Sequence, residues 1–394
     1  MLKTAIPSSP AHVWIEELKL YQFRNYASLR LTLDERHVVL TGENGAGKTN
    51  LLEAVSFLSP GRGLRRAAYG QIAKADGDTT WAVHTQLEGA DGPVSIGTGL
   101  QLGPQGLETA RKVHINSATT KSTDALLEHS RILWLTPAMD GLFTGSAGDR
   151  RRFLDRMVLA IDPTHGRRVS DFERAMRSRN KLLEDHSADA SWMDGLEQQL
   201  AETGIAIAFA RAELVALLRS IIERGETGHN GIFPRAEIAL EGTLEDLMRE
   251  GAASDLEDSY KALLCRSRPR DRAAGRTLEG PHRSNLAVRH SIKDMDAALC
   301  STGEQKALLT GIVLAHAQLV GEVSRIAPIL LLDEIAAHLD PGRRAALFDI
   351  IDQIGCQAWM TGTDAPMFEA LGNRAQHFTV SHGAVAPAAE NASS

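Results

Sequence analysis

The sequence predicts an α/β fold: a P-loop nucleotide-binding sheet, an antiparallel β layer beside it and an inserted helical lobe. Three observations carry the prediction. Gly42-Glu-Asn-Gly-Ala-Gly-Lys48-Thr49 lies between a strand-like run and a helix-like run. The apolar run Ile329 to Leu332 is closed by Asp333-Glu334. Between the two, from about residue 120 to 265, the apolar spacing changes to the 3.6 period of helices.

At 394 residues the chain exceeds one ordinary core, so two lobes are expected. Cys265, Cys300 and Cys356 form no CxxC pair and have no histidine cluster beside them. That argues against a disulfide framework or zinc site and fits a reducing cytoplasm. Met1 to His12 is Pro/Ser-rich without an apolar core, so it is not read as a signal peptide. Ile205 to Ile222, the most apolar long stretch in this reading, carries Arg211, Glu213 and Arg219 at helical intervals. It reads as a core helix, and no membrane span is expected.

Net charge is −7, but arginines cluster locally: Arg62, Arg65 and Arg66; Arg150, Arg151 and Arg152; and Arg266, Arg268, Arg270, Arg272 and Arg276. Two readings stand: solvated surface charge, or a phosphate-binding surface where only local sign matters.

In order along the chain, Val13 to Phe23, Leu29 to Leu33 and His37 to Leu40 read as strands, the third running into the Gly-rich loop. Asn50 to Leu58 continues as a helix stopped by Pro60-Gly61. Residues 81–88, 94–101 and 111–115 are β-rich between Gly/Asp turns, which gives the antiparallel layer. Arg151 to Ile161, Arg168 to Leu183 and Asp194 to Ile222 have helical spacing and form the second lobe, too broken for a long coiled coil. Then come a strand at Leu286 to His290, a helix at Gly303 to Val320, the buried strand Ile329 to Leu332, a helix at Gly342 to Ile354 and a strand at Gln357 to Met360. The expected organisation is a flexible extension (1–12), a split head or lobe I (13–120 and 270–381), helical lobe II (121–269) and a disordered tail (382–394).

The chemistry starts at the loop. Gly42, Glu43, Asn44, Gly45, Ala46 and Gly47 present backbone N–H groups to phosphate oxygens, and glycine supplies dihedrals that other residues resist. Lys48 reaches the β- and γ-phosphates, Thr49 offers its hydroxyl to Mg²⁺, and the helix that follows aims its positive end at the same anion. Asp333 is placed to hold Mg²⁺ through water, and Glu334 to act as general base on the attacking water. ATP and Mg²⁺ are the expected cofactors. Ser301-Thr-Gly-Glu-Gln-Lys306 begins an apolar helix with an S-x-x-E capping box. The same geometry, with the Ser301 hydroxyl and Gly303 amide exposed, makes an anion site.

Its place shortly before Asp333 resembles the signature motif of ABC ATPases, with His338-Leu339-Asp340 as the following D-loop. The fold class thus sharpens to an ABC-type P-loop ATPase head. Phe23-Arg24-Asn25-Tyr26, the P-loop through Asn50, Arg151-Arg152-Phe153-Leu154-Asp155, Gly280-Pro-His-Arg283 and Ser301 to Lys306 together resemble the RecF family, SMC-like ABC ATPases without the long coiled coil. The resemblance spans about residues 13 to 380. It implies an ATP-dependent homodimer on single-stranded, gapped and junction DNA, working with RecO and RecR to load a recombinase in repair, replication restart and the SOS response. It implies that Ser301, Gly303 and Lys306 face the γ-phosphate of a partner protomer and that Arg24 and Asn25 approach the nucleotide. It also places Arg150–Arg152 on the helical lobe; these and Arg62, Arg65 and Arg66 are the candidate DNA contacts.

Two departures stand out. Ser284-Asn285 replace acidic residues usual after Gly280–Arg283. Thr361-Gly-Thr363 follows the strand at Trp359-Met360, with no histidine where transporter ATPases place their γ-phosphate switch, and Thr361 or Thr363 is the candidate substitute. Gln71 and Gln86 are both candidates for the glutamine that senses magnesium and water. The competing readings are a transporter ATP-binding subunit and a metabolic kinase. The long insertion between Lys48 and Ser301 weighs against the first, and the signature motif against the second.

Overall fold

The computed structural model describes residues 9–75, 77, 79–103, 106–107, 110–185, 190–225, 232–335 and 339–388. The described residues divide into two compact units. The first runs up to Met139 and resumes at Leu309, and the second fills Asp140 to Leu308 apart from Ile232 and Phe233.

The first unit opens with β1 (Trp14–Phe23), β2 (Tyr26–Thr32) and β3 (His37–Thr41), and then α1 (Lys48–Ser56) leaves the P-loop. β4 (Trp81–Gly89), β5 (Gly92–Leu100), the small pair β6 (Leu102–Gly103) and β7 (Gly106–Leu107), β8 (Lys112–Ile115), β9 (Ala118–Thr119) and β10 (Ile132–Leu135) follow. The second unit holds α2 (Ala147–Ile161), α3 (His165–Glu184), α4 (Ala190–Arg224), β11 (Ala236–Glu241), α5 (Thr243–Glu250), α6 (Leu256–Ala274), β12 (Asn285–His290) and β13 (Met295–Asp296). The chain then continues through α7 (Thr302–Ser324), β14 (Ile329–Leu332), α8 (Pro341–Ile354), β15 (Ala358–Gly362), β16 (Ala375–Ser381) and β17 (Ala384–Pro387).

Two six-stranded sheets build the first unit. The antiparallel layer runs β2-β1-β4-β5-β8-β9, and alternate residues such as Leu18, Leu20, Val83 and Ile96 turn into the core. The second sheet runs β10-β14-β15-β3-β16-β17. It is parallel from β10 to β16 and ends in an antiparallel pair. Its central strands are buried on both faces and therefore read as unbroken apolar runs, HVVLT and ILLL, rather than alternating ones. β3 and β14 both deliver their C-terminal ends on the same side of this sheet, as parallel strands must. That places the P-loop and Asp333-Glu334 together.

The second unit is a helical assembly around Phe172, Leu200, Ile205, Ala208, Leu256, Tyr260 and Leu264. The antiparallel strands β11 and β12 join it, in register from Ala236–His290 to Glu241–Asn285. A charged network is sealed inside. Arg179 has no exposed side-chain surface and donates to Glu197 (3.0 Å), Asp271 (2.7 Å), Thr277 (2.9 Å) and the Leu264 carbonyl (2.8 Å). Each nitrogen of the buried guanidinium thus has an acceptor, as a buried cation requires.

Several expectations are corrected. Lobe II does not span 121–269. Ile132–Leu135 is a strand of the parallel sheet, paired with β14, and residues 270–308 cluster with the helices because β12 pairs with β11. The tail from His382 is not disordered as a whole, since Ala384–Pro387 pairs with β16; residues 389–394 lie outside the described residues. Residues 9–12 are likewise tied down: Ala11 N–H donates to the Arg325 carbonyl at 2.9 Å, and His12 Nδ1 lies 2.7 Å from the Gly355 carbonyl. Residues 1–8 lie outside the described residues. The stretch most like a membrane span by length and composition is Thr302–Ser324 rather than Ile205 to Ile222, and it is largely buried inside the protein.

Candidate functional site

The site is built where β3 turns into α1. Gly42 has φ +146°, and a Cβ there would lie 2.2 Å from the Val380 carbonyl oxygen. Gly47 has φ +118°, and its Cβ would lie 2.4 Å from Asn25 Nδ2 and 2.8 Å from the Tyr26 hydroxyl. A Cβ would collide with the backbone at Gly42 and with the Asn25 and Tyr26 side chains at Gly47, and both positive φ values favour glycine. Lys48 is buried, and its Nζ donates to the Gly42 carbonyl (2.5 Å) and the Glu43 carbonyl (2.9 Å). Burial pushes its amine below the usual lysine value, while the Glu334 and Asp333 carboxylates pull the other way. The ammonium is thus curled into the loop's own carbonyls.

Thr49 and Asp333 meet across the site: the Thr49 hydroxyl lies 3.0 and 3.1 Å from the two Asp333 oxygens. A hydroxyl and a carboxylate converging beside a phosphate cradle form a hard-oxygen donor set suited to Mg²⁺. Thr361 joins them from β15, donating to Asp333 Oδ1 at 2.8 Å and accepting from the Glu334 N–H at 2.9 Å. Glu334 takes φ +54°. The structure therefore brings Lys48, Thr49, Asp333, Glu334 and Thr361 into one site. Thr363 instead bonds Asp364 next to it.

Arg24 and Asn25 support this loop from outside it. Asn25 Nδ2 donates to the Ala46 carbonyl at 3.1 Å, and Asn50 Nδ2 donates to Asn25 Oδ1 at 2.7 Å. The Tyr26 hydroxyl donates to the Gly47 carbonyl at 3.1 Å. Arg24 grips Glu53 with two bonds, 2.8 and 2.6 Å, and also donates to the Gln71 carbonyl at 2.8 Å. Glu53, which has no exposed side-chain surface, accepts from Arg65 as well, at 2.9 Å. Sequence reasoning missed Glu53. Its signal was a lone carboxylate in the otherwise apolar run Leu51 to Val55.

The signature residues form a separate helix start. Ser301 N–H donates to Glu304 Oε2 at 3.0 Å, and the Glu304 N–H donates back to Ser301 Oγ at 3.4 Å, so the capping box is present. Lys293 and the Ser301 bonds hold the Glu304 carboxyl well below the usual range, at about 2. Gly303 faces open space, with nothing within 4 Å of a would-be Cβ. Lys306 pairs with Asp140 at 2.8 Å. His338 lies outside the described residues, while Asp340 caps α8 by accepting from the Arg343 N–H at 2.9 Å.

The arginine clusters divide. Arg150 donates to Asn285 Oδ1 (2.8 Å) and the Gly145 carbonyl (2.8 Å), and Arg151 to the Ser284 carbonyl (2.9 Å). Both are engaged within the second unit, and Asn285 uses the position where an acidic residue was expected to bind Arg150. Arg152 is half exposed and paired with Asp149. Arg62 and Arg66 are exposed on the loop after α1. Arg268 pairs with Asp194 and Glu197, Arg270 with Glu279, and Arg272 donates to the Leu183 carbonyl, so that run ties the helices together. Gln71 sits in the loop bound to Arg24, and Gln86 lies on β4 between Glu17 and Ser95.

Comparison with known proteins agrees with this geometry. A family model described as the RecF/RecN/SMC N-terminal domain matches residues 14–385. The DNA replication and repair protein RecF of Rhizobium rhizogenes is 59% identical over 376 residues, covering 95% of this chain and 99% of the relative. That of Mesorhizobium japonicum is 59% identical over 378 residues, covering 96% and 99%. Among solved structures, the recombination mediator protein RecF with ATPrS, of the RecFOR pathway, superposes with a TM-score of 0.82 at 22% identity, covering 97% of this chain and 100% of that one. An Smc head bound to a winged-helix domain of ScpA superposes at 0.51 and 16% identity, covering 94% and 96%. The chain belongs to the RecF/RecN/SMC N-terminal domain family, among the RecF proteins of DNA replication and repair.

Proposed function

We propose that this protein is an ATP-binding, ATP-hydrolysing recombination mediator that closes as a homodimer on DNA when ATP is bound. The observation that carries the reading is the split of the machinery. Lys48, Thr49, Asp333 and Glu334 converge on one phosphate cradle, and Ser301 to Lys306 is a separate helix start, capped by Glu304 and open at Gly303, whose positive end can face an anion. A second copy supplies that helix start to the first copy's nucleotide, and the arrangement is reciprocal.

In this mechanism Lys48 leaves the Gly42 and Glu43 carbonyls for the β- and γ-phosphate oxygens. Thr49 and Asp333 are the residues that would hold Mg²⁺, which would supply positive charge beside the phosphates. Glu334 orients the attacking water and takes its proton. Asn25 and Tyr26 keep the loop in shape through the Ala46 and Gly47 carbonyls, while Arg24 acts through Glu53. Hydrolysis removes the γ-phosphate that joins the copies and releases the dimer.

On DNA, the exposed Arg62 and Arg66, the half-exposed Arg65 and Arg152 offer phosphate contacts. Arg150 and Arg151 are already engaged by Asn285 and Ser284 and hold the second unit around Arg152 in shape. The preferred targets are single-stranded, gapped and junction DNA. RecR/RecO-type proteins are the partners, the setting is the cytoplasm, and the roles are replication restart and the SOS response. ATP turnover is slow and stimulated by DNA. Membership of the RecF family sets aside a transporter subunit.

Size-exclusion chromatography with light scattering tests the reading, run with and without ATP and with gapped, duplex or single-stranded DNA. A dimer that needs ATP and is favoured by DNA is expected, because linkage between the two ligands is reciprocal. A monomer under every condition overturns it.

A further inference from the structure

Glu334 stands at the end of a fully buried strand in a conformation that residues with a Cβ rarely adopt, φ +54°. A carboxylate that must meet one water molecule from such a backbone needs something to hold it there. The holder is visible. The Glu334 N–H donates to Thr361 Oγ1 at 2.9 Å, and the same hydroxyl donates to Asp333 Oδ1 at 2.8 Å. A threonine hydroxyl has one hydrogen to give and lone pairs to receive, so one side chain serves both acidic residues. Thr361 is wholly buried, and β14 and β15 are in parallel register, Leu332 beside Met360. Its position is therefore fixed by the central sheet and not by a mobile loop.

The geometry points to Thr361 as the positioning residue for hydrolysis: it aims Asp333 through the carboxylate and Glu334 through the backbone. The inference rests on the reading that the chain hydrolyses ATP. Among the described residues the Thr361 hydroxyl bonds only these two acidic residues, and it contributes no charge. Losing its hydroxyl should therefore slow the chemical step and leave nucleotide binding in place. Valine keeps the shape of threonine and removes the hydroxyl, whereas serine keeps the hydroxyl and removes the methyl group.

The experiment uses the full chain as wild type, Thr361→Val and Thr361→Ser. Single-turnover ATP hydrolysis, affinity for a fluorescent ATP analogue and backbone amide exchange at Glu334 are measured together. Thr361→Val should hydrolyse about 100-fold more slowly, the scale of losing one aligned polar group at a reacting centre. Its nucleotide affinity should stay within about 3-fold, and its Glu334 amide should exchange faster because its acceptor is gone. Thr361→Ser should hydrolyse, bind and exchange close to wild type. Equal losses in both variants, or unchanged hydrolysis and exchange in Thr361→Val, overturn the inference. If Thr361→Val does not fold, Thr361→Ala takes its place against Thr361→Ser with the same readouts. If the wild type itself hydrolyses no ATP, the hydrolysis reading falls, and exchange at Glu334 alone decides whether Thr361 holds that amide.

Discussion

Arg211 grips Asp155 with two parallel hydrogen bonds, from Nε at 2.8 Å and from Nη2 at 2.9 Å, and spends its remaining nitrogen on the Pro281 carbonyl at 2.6 Å. His165 completes the set, 2.8 Å from Asp155. The acidic end of Arg151–Asp155 and the start of Gly280–Arg283 are thus two sides of one buried joint. Replacing Arg211 with methionine keeps most of the stem but removes both guanidinium bonds to the part-buried Asp155, leaving it His165 alone, and strips the Pro281 carbonyl of its donor. We expect Arg211→Met to cost about 3 kcal/mol of stability, read from urea denaturation.

The same joint predicts an acid limit. Burial works against ionisation of Asp155, but the His165 bond and the Arg211 charge outweigh it, so its carboxyl lies below the ordinary value. A lowered folded value means that the stabilisation is present above the unfolded value, about pH 4, and is lost as pH falls through the folded one. Urea melts between pH 7 and pH 2 should show a steeper acid decline in wild type than in Asp155→Asn, which has no proton to take up.

Lys48→Ala should lose nucleotide binding. The two carbonyls that now hold the ammonium remain, but the only lysine inside the loop is gone. An affinity at least about 10-fold weaker, measured by calorimetry, is expected from the loss of charged hydrogen bonds to phosphate.

Glu334→Gln keeps the size of the side chain and removes the proton acceptor. It should bind ATP as wild type does and hydrolyse it about 100-fold more slowly or worse. The dimer formed with ATP should then persist on a sizing column where the wild-type dimer decays.

Ser301→Arg separates the two uses of the signature helix. The P-loop is untouched, so monomer affinity for ATP should hold. A bulky cation at the open helix start should abolish dimerisation. Sedimentation showing a normal ATP-dependent dimer would refute the composite site.

Much of this was legible in the sequence because the chemistry is local. The P-loop lies in consecutive residues, the Ser301–Glu304 box follows a four-residue pattern, and Asp333-Glu334 ends an unmistakable apolar run. What escaped depends on partners distant in sequence. Glu53 looks like an ordinary helix residue until Arg24 and Arg65 are folded against it. Ile132–Leu135 is a four-residue apolar run, too short for periodicity to separate strand from helix. α6 was hidden by Pro269 and five nearby arginines, of which Arg268, Arg270 and Arg272 are taken up by carboxylates and a carbonyl of neighbouring segments. Arg150 and Arg151 looked like a free basic patch for the same reason: the sequence displays the cations but not the oxygens that receive them.

The short strand β17 finally bears on how the protein behaves at high concentration. A parallel sheet buried at its centre still has two rims, and an uncovered rim invites another chain to add itself. Here β16 is covered by Ala384–Pro387, with Pro387 opposite Phe378. Proline has no N–H to offer a further strand, so it blunts the new rim just where one would pair. Ala384–Pro387 thus act as a hem on the sheet: trimming the chain before Ala384 would leave the P-loop and Asp333-Glu334 in place yet expose a sticky border to self-association.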